Sequence, residues 1–242
     1  MENFKKPDRN TFLNVDFTND NTIWLTNSLT LRKIIGILGM AMPLLLFGFL
    51  YLDNGLEYPL DSISHYYYTR VSSVFVIILT LLAIFLIVYK GKDPADFYIS
   101  LLAGIFAFLV ILFPTTNLSQ KCCDPNIKYA VTYLEPDTFR KNLHYTAAAL
   151  FFICLSVMSL FIFTKSDKTP KKRGLKKKIR NRIYRTCGVL ILLSLFIIFA
   201  AHKDIIPSSF YGNFPLTFWM EALAIESFGF SWLIKGETLF KD

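Results

Sequence analysis

The chain has 242 residues, 53% of them hydrophobic, with a formal net charge of +8 and a mean hydropathy of +0.42. A soluble domain is about 45–50% apolar, so the excess is small and its distribution decides the class. The apolar residues fall into long runs almost free of charge and the cations fall between them, which reads as membrane topology rather than a nucleic-acid surface; no nucleic-acid partner is expected.

Residues 1–30 are polar, with Asp8, Asp16 and Asp20 spread through them. They lack the apolar stretch of a cleavable signal peptide. They read as a cytoplasmic tail, and the first apolar run reads as an uncleaved signal anchor. About 20 apolar residues at 1.5 Å rise cross a bilayer core, and on that rule six spans are predicted, over residues 34–52, 71–89, 97–113, 145–163, 183–201 and 214–234. The fold class is therefore all-α, a polytopic six-transmembrane-helix bundle over residues 31–237, followed by a short cytoplasmic tail at 238–242. Pro43 is expected to kink the first helix. The fifth run is the shortest, and Ile183, Tyr184 and Arg185 at its start are expected to snorkel into the headgroups.

The connections differ in kind. Residues 90–95 form a tight turn with Pro94. Residues 114–142 form a long loop carrying Cys122, Cys123, Pro125 and Pro136, and residues 164–182 form a basic loop. Of the 26 Lys and Arg residues, all but Arg70, Lys121, Lys128, Arg140, Lys141 and Lys203 fall on the side of the N-terminus. That asymmetry predicts a multi-pass protein of the cell membrane with both termini cytoplasmic. The run from Lys165 to Arg185 is explained by topology, and contact with anionic lipid is its natural by-product. Helix packing is expected at small residues, since lipid tails give no hydrophobic drive for association: Gly36 and Gly39, Ser100 with Gly104, Ala103 with Ala107, and Ala147, Ala148 and Ala149.

Candidate chemistry gathers on the outer side. A carboxylate near mid-membrane costs about 2.5–3.5 kcal/mol on insertion scales, so Glu221 and Glu226 in the sixth span demand a partner, water or a ligand. Their spacing puts them on different helix faces. The three histidines, His65, His144 and His202, all fall at outer helix ends. Three imidazoles with Glu221 could hold a divalent metal such as zinc with an activated water, although no HxxxH or HExxH spacing supports it. The stretch from Asp61 to Arg70 is rich in hydroxyl, imidazole and aromatic groups. It suits an outer pocket, and equally an aromatic belt at headgroup depth. Cys122 and Cys123 are vicinal and have no second pair to bind a metal with, while Cys154 and Cys187 lie in spans as packing residues.

Several of these motifs have a family resemblance. Ser62-Ile63-Ser64 and Tyr66-Tyr67-Tyr68-Thr69, Tyr89-Lys90-Gly91, Phe113-Pro114-Thr115, His144 with Ala148, Phe151 and Phe152, Tyr184-Arg185 with Gly188, and Glu221 with the stretch from Trp232 to Glu237 resemble an uncharacterised family of bacterial six-pass integral membrane proteins. That family is distantly similar to Frag1/DRAM-like proteins, some of them linked to lipid remodelling or trafficking. Where the family has an acidic residue and a glycine flanking the phenylalanine that opens the second helix, this chain has Ser73 and Ile77 near Phe75. The resemblance implies the six-pass fold and directs attention to Ser62, Ser64, Tyr67, His144 and Glu221. The leading expectation is an outward-facing site built from these residues for a lipid headgroup or another small amphiphile, serving binding, sensing or lipid handling. Three alternatives stand beside it: a membrane-embedded metal-dependent hydrolase using His65, His144 and His202; a transporter or channel with a polar path through Glu221 and Glu226; and a structural subunit. Residue types alone do not choose between enzyme and binding protein, and they give no oligomeric state.

Overall fold

A computed structural model describes residues 28–91, 93–119, 127–166 and 174–237. Its elements are α1 (Ser28–Asn54), a 3-10 helix (Ile63–Tyr68), α2 (Ser72–Val88), α3 (Pro94–Leu112), α4 (Thr138–Val157) continued by a π-helix (Met158–Ile162), α5 (Leu175–His202), the short α6 (Ser208–Tyr211) and α7 (Leu216–Lys235). Among the described residues the β pairing is one isolated bridge, between Thr69 and Ala130. Four helical stretches are long and apolar enough to cross a membrane: Leu29–Asn54, Pro94–Leu112, Thr138–Ile162 and Leu175–His202. The apolar α2 is shorter, at 17 residues, and the 20-residue α7 carries Glu221 and Glu226.

The helices outrun the apolar runs that predict them, because their polar ends are helical too. The fourth begins at Thr138, where Asp137 caps it by accepting the Phe139 N–H at 2.8 Å. The fifth begins at Leu175, so residues 175–182 are helix and not part of the basic loop expected there. As a result Tyr184 does not mark a helix start in the headgroups. It lies inside α5, 2% exposed, with its ring edge-on to Phe163. α1 begins within the expected tail and continues through Pro43. Residues 1–27 of that tail, Cys122 and Cys123, and residues 238–242 lie outside the described residues.

The six long helices form a closed ring. Each packs on its neighbours in chain order, α1 to α2, α2 to α3, α3 to α4, α4 to α5 and α5 to α7, and α7 returns to α1. Close approach of α7 and α1 closes the ring. A Cβ placed on Gly36 would stand 2.7 Å from the Gly229 carbonyl oxygen, and one on Gly229 would stand 2.7 Å from that of Gly36. Small residues and hydroxyls serve the other seams, as bilayer packing favours. Ala103 and Ala107 are fully buried, Ser100 Oγ donates to the Leu86 carbonyl at 2.5 Å, and Ser156 Oγ donates to that of Gly188 at 2.9 Å. Of the three expected alanines on α4, only Ala147 is buried. The middle of the ring is filled. Gly39, Met42, Leu82, Phe151, Ile225 and Phe228 surround a void of about 10 Å³, room for about one water molecule.

The two ends of the ring differ chemically. At the basic end the α2–α3 turn needs Gly91 at φ +66°, where a Cβ would also strike Asp96. Lys165 then ties that turn to the end of the fourth span, donating to Asp93 at 2.7 Å and to Asp96 at 2.6 Å. Those two carboxylates, Asp93 first, hold the Lys165 ammonium above the ordinary lysine range. Trp232 sits edge-on to Tyr89 and Phe163, and Arg32 and Lys235 lie over the Tyr89 and Phe163 rings. The opposite end is closed by the 3-10 helix, which acts as a lid.

Candidate functional site at the lid end

The lid forms because residues 57–71 must turn the chain from α1 into α2 across the end of a packed ring. Ser62 caps the 3-10 helix, its Oγ accepting the His65 N–H at 3.3 Å. The same oxygen shares a hydrogen bond with His65 Nδ1 at 3.0 Å. Burial lowers the pKa of His65 below its ordinary value and the Asp61 carboxylate opposes that shift. Tyr66 fills the space beneath the lid. It is fully buried, with its ring 6.0 Å from that of Phe218 and its hydroxyl accepting the Leu60 N–H at 3.4 Å. Tyr68 Oη donates to the Thr115 carbonyl, and the Tyr68 carbonyl accepts the Val131 N–H at 2.9 Å. Burial pushes both tyrosine hydroxyls up to about 12, so both remain neutral.

Two bonds fasten the lid to α7. The Phe218 N–H donates to the Asp61 carbonyl at 2.9 Å. The Ile63 N–H donates to Glu221 Oε2 at 2.6 Å. Glu221 is half-buried, and the described residues give its second oxygen no hydrogen bond. Glu226 lies elsewhere. It shares the outward stripe of α7 with the exposed Trp219 and Leu223 and the half-exposed Phe230, following helical spacing. The two carboxylates therefore do not line one path.

The sequence-predicted residues divide into two groups. Ser62, Ser64 and Tyr67 lie on the lid and Glu221 reaches it from α7. Ser62 and Ser64 are buried, while Tyr67 is half-buried with its ring 5.3 Å from that of Tyr68. His144 comes from α4, 3% exposed, within electrostatic reach of His65 on the lid, and its Nδ1 is spent on the Phe113 carbonyl at 2.8 Å. His202, exposed at the end of α5, meets the outer side of Tyr145, with ring centroids 5.4 Å apart. The fold does not bring the three imidazoles together, and among the described residues no group of three or more His, Cys, Asp and Glu side chains is placed to hold a metal ion. Two features escape a reading of residue types. One is the pairing of His65 with Ser62 rather than with its neighbour Ser64, signalled only by the serine-to-histidine spacing of an N-cap. The other is the lid fastening through Asp61 and Phe218, which uses backbone atoms alone.

No protein-family model, curated protein or solved structure matches the chain. What the fold and composition define is an all-helical protein whose apolar helices are compatible with multiple membrane crossings.

Proposed function

We propose that the chain is a six-pass protein of the cell membrane, with both termini on the cytoplasmic side, that binds the headgroup of a lipid or small amphiphile at its outer lid. The closed six-helix ring supports the span count, since α2 and α7 occupy equivalent places beside the four long apolar stretches. The gathering of Lys and Arg at one end supports the orientation.

One observation carries the binding reading. Glu221 offers a carboxylate at the rim of the ring with one oxygen fixed by the Ile63 N–H and the other uncommitted. The free oxygen of a fixed, half-buried carboxyl group accepts a hydrogen bond, and a bond from a charged donor is about twice as strong as a neutral one. The ligand is thus an amphiphile with an ammonium or hydroxyl headgroup. Glu221→Gln tests it, since the amide oxygen still accepts from Ile63 and keeps the lid in place. The purified protein should bind phosphatidylethanolamine in preference to phosphatidylcholine, which has no donor, and Glu221→Gln should remove that preference with little change in Tm. An absent preference, or one that survives the exchange, refutes the site.

A structural reading has its own support: Ser62, Tyr68 and His144 spend their polar atoms on bonds within the protein. On that reading Glu221→Ala loosens the lid and no lipid preference exists.

A further inference from the structure

Along α5, Lys178, Arg182 and Arg185 follow one another at helical spacing on an exposed face. None of them forms an ion pair among the described residues. Together with Asn181, Thr186, Val189 and Leu190 they line a groove of about 590 Å³. Immediately beyond the cations the same face turns apolar, with Val189, Leu192, Leu193 and Phe196 all more than one-third exposed. The three cations span about 10 Å along the axis. They therefore sit where a membrane helix leaves the headgroups and enters hydrocarbon.

Asn181 makes the groove more than a charged stripe. It is 6% exposed, and its Nδ2 donates to the Thr164 carbonyl at 3.1 Å, which fixes the orientation of the amide. Its Oδ1 is buried without a hydrogen-bond partner. A buried carbonyl oxygen left unpaired is unfavourable, and this one belongs to a residue that lines the cationic groove. Phosphate alone cannot satisfy it, because phosphate brings acceptors. A hydroxyl can.

We infer that this groove binds an anionic glycerophospholipid whose headgroup carries a free hydroxyl, the phosphate meeting Lys178, Arg182 and Arg185, the hydroxyl donating to Asn181 Oδ1, and the acyl chains lying along Val189 to Phe196. The site is at the opposite end of the ring from the lid and does not rest on the Glu221 reading.

The test titrates the full-length purified protein with three dioleoyl lipids and counts bound lipid by native mass spectrometry. Phosphatidylglycerol carries one negative charge and headgroup hydroxyls, phosphatidylmethanol carries the same charge without them, and phosphatidylcholine has neither feature. The expected order of affinity is phosphatidylglycerol, phosphatidylmethanol, phosphatidylcholine. Each cation near an anionic headgroup is worth about fivefold in binding, so Arg182→Gln with Arg185→Gln should weaken phosphatidylglycerol binding about 25-fold. Asn181→Leu should bring phosphatidylglycerol and phosphatidylmethanol level. If that variant does not fold, the preference between the two lipids in the unaltered protein decides the same point. Equal binding of phosphatidylglycerol and phosphatidylmethanol overturns the hydroxyl contact. Equal binding of phosphatidylcholine, or indifference to the double exchange, overturns the site. Displacement of the lipid by soluble glycerol phosphate at matching affinity overturns the membrane-lipid occupant.

Discussion

Replacing Gly229 with alanine should loosen the seam that closes the ring. The added methyl would stand 2.7 Å from the Gly36 carbonyl oxygen, 2.8 Å from Met40 Cγ and 3.0 Å from the Met40 nitrogen. Ordinary contact begins near 3.4 Å, so two of these neighbours are backbone atoms that only a movement of α1 or α7 can relieve. Overpacking of this kind costs about 1–3 kcal/mol. The better helix propensity of alanine returns about 0.5–1 kcal/mol, leaving a net loss of up to about 2.5 kcal/mol. Gly48→Ala is the control, a helix-interior glycine of α1 with nothing within 4 Å of the new methyl, and it should be neutral or slightly stabilising. Reversible unfolding in bicelles, followed by steric trapping, reads both. Gly36→Ala combined with Gly229→Ala should cost less than the two separate losses, because both methyls press on one gap. Equal stability of Gly229→Ala and Gly48→Ala would refute the close crossing of α1 and α7.

Other outcomes follow from the two ends of the ring. Lys165→Met should destabilise the protein by about 1–3 kcal/mol, between the ranges for exposed and buried pairs, because it strips a partner from the Asp96 side chain, which is only 4% exposed. Asp93→Asn should cost less, since Asp93 is 55% exposed; chemical denaturation of both variants gives the order. The lowered pKa of His65 implies a pH dependence with a definite sign. Its neutral form is favoured in the folded state, so its contribution is present at neutral pH. That contribution falls as pH drops below about 6.5, the unfolded value, and levels off once the folded group has titrated. The protection factors of the Phe218 and Thr69 amides, taken against the intrinsic exchange rate at each pH, should fall over that interval, and His65→Gln should flatten the response. Tyr68→Phe should free the Thr115 carbonyl and lower stability by about 1–3 kcal/mol, measurable in the same unfolding assay.

Hydropathy made the all-helical class legible, because a run such as Ile34 to Leu52 admits little but a helix in an apolar solvent. It could not mark where the polar helix ends lie, and that is why Leu175 to Arg182 read as loop and Tyr184 as a headgroup residue. Glu221 and the lid serine were visible as residues out of keeping with their surroundings. Their partners were not. Glu221 bonds a backbone N–H at Ile63, a group every residue but proline possesses, so no side-chain pattern betrays it. Gly36 was recognisable as a packing glycine, yet its counterpart Gly229 is identified only by the crossing of helices far apart in sequence. The three histidines shared an end of the bundle, as their positions foretold, but sharing an end is a weaker condition than sharing an ion. His144 turns inward to Phe113 while His202 faces out.

The proposed topology has six helices crossing the membrane with the lid outside and the basic end inside. A chain cleared of its native thiols, with Cys122, Cys123, Cys154 and Cys187 replaced by serine or alanine, can carry one new cysteine at a time. The thiol would be placed at Tyr58 or Ser208 on the lid side, or at Lys90 or Lys176 on the basic side. A membrane-impermeant maleimide applied to intact cells should label the first pair, and should reach the second pair only after the membrane is opened. Labelling of Lys90→Cys or Lys176→Cys in intact cells, or protection of Tyr58→Cys together with Ser208→Cys, would contradict the account.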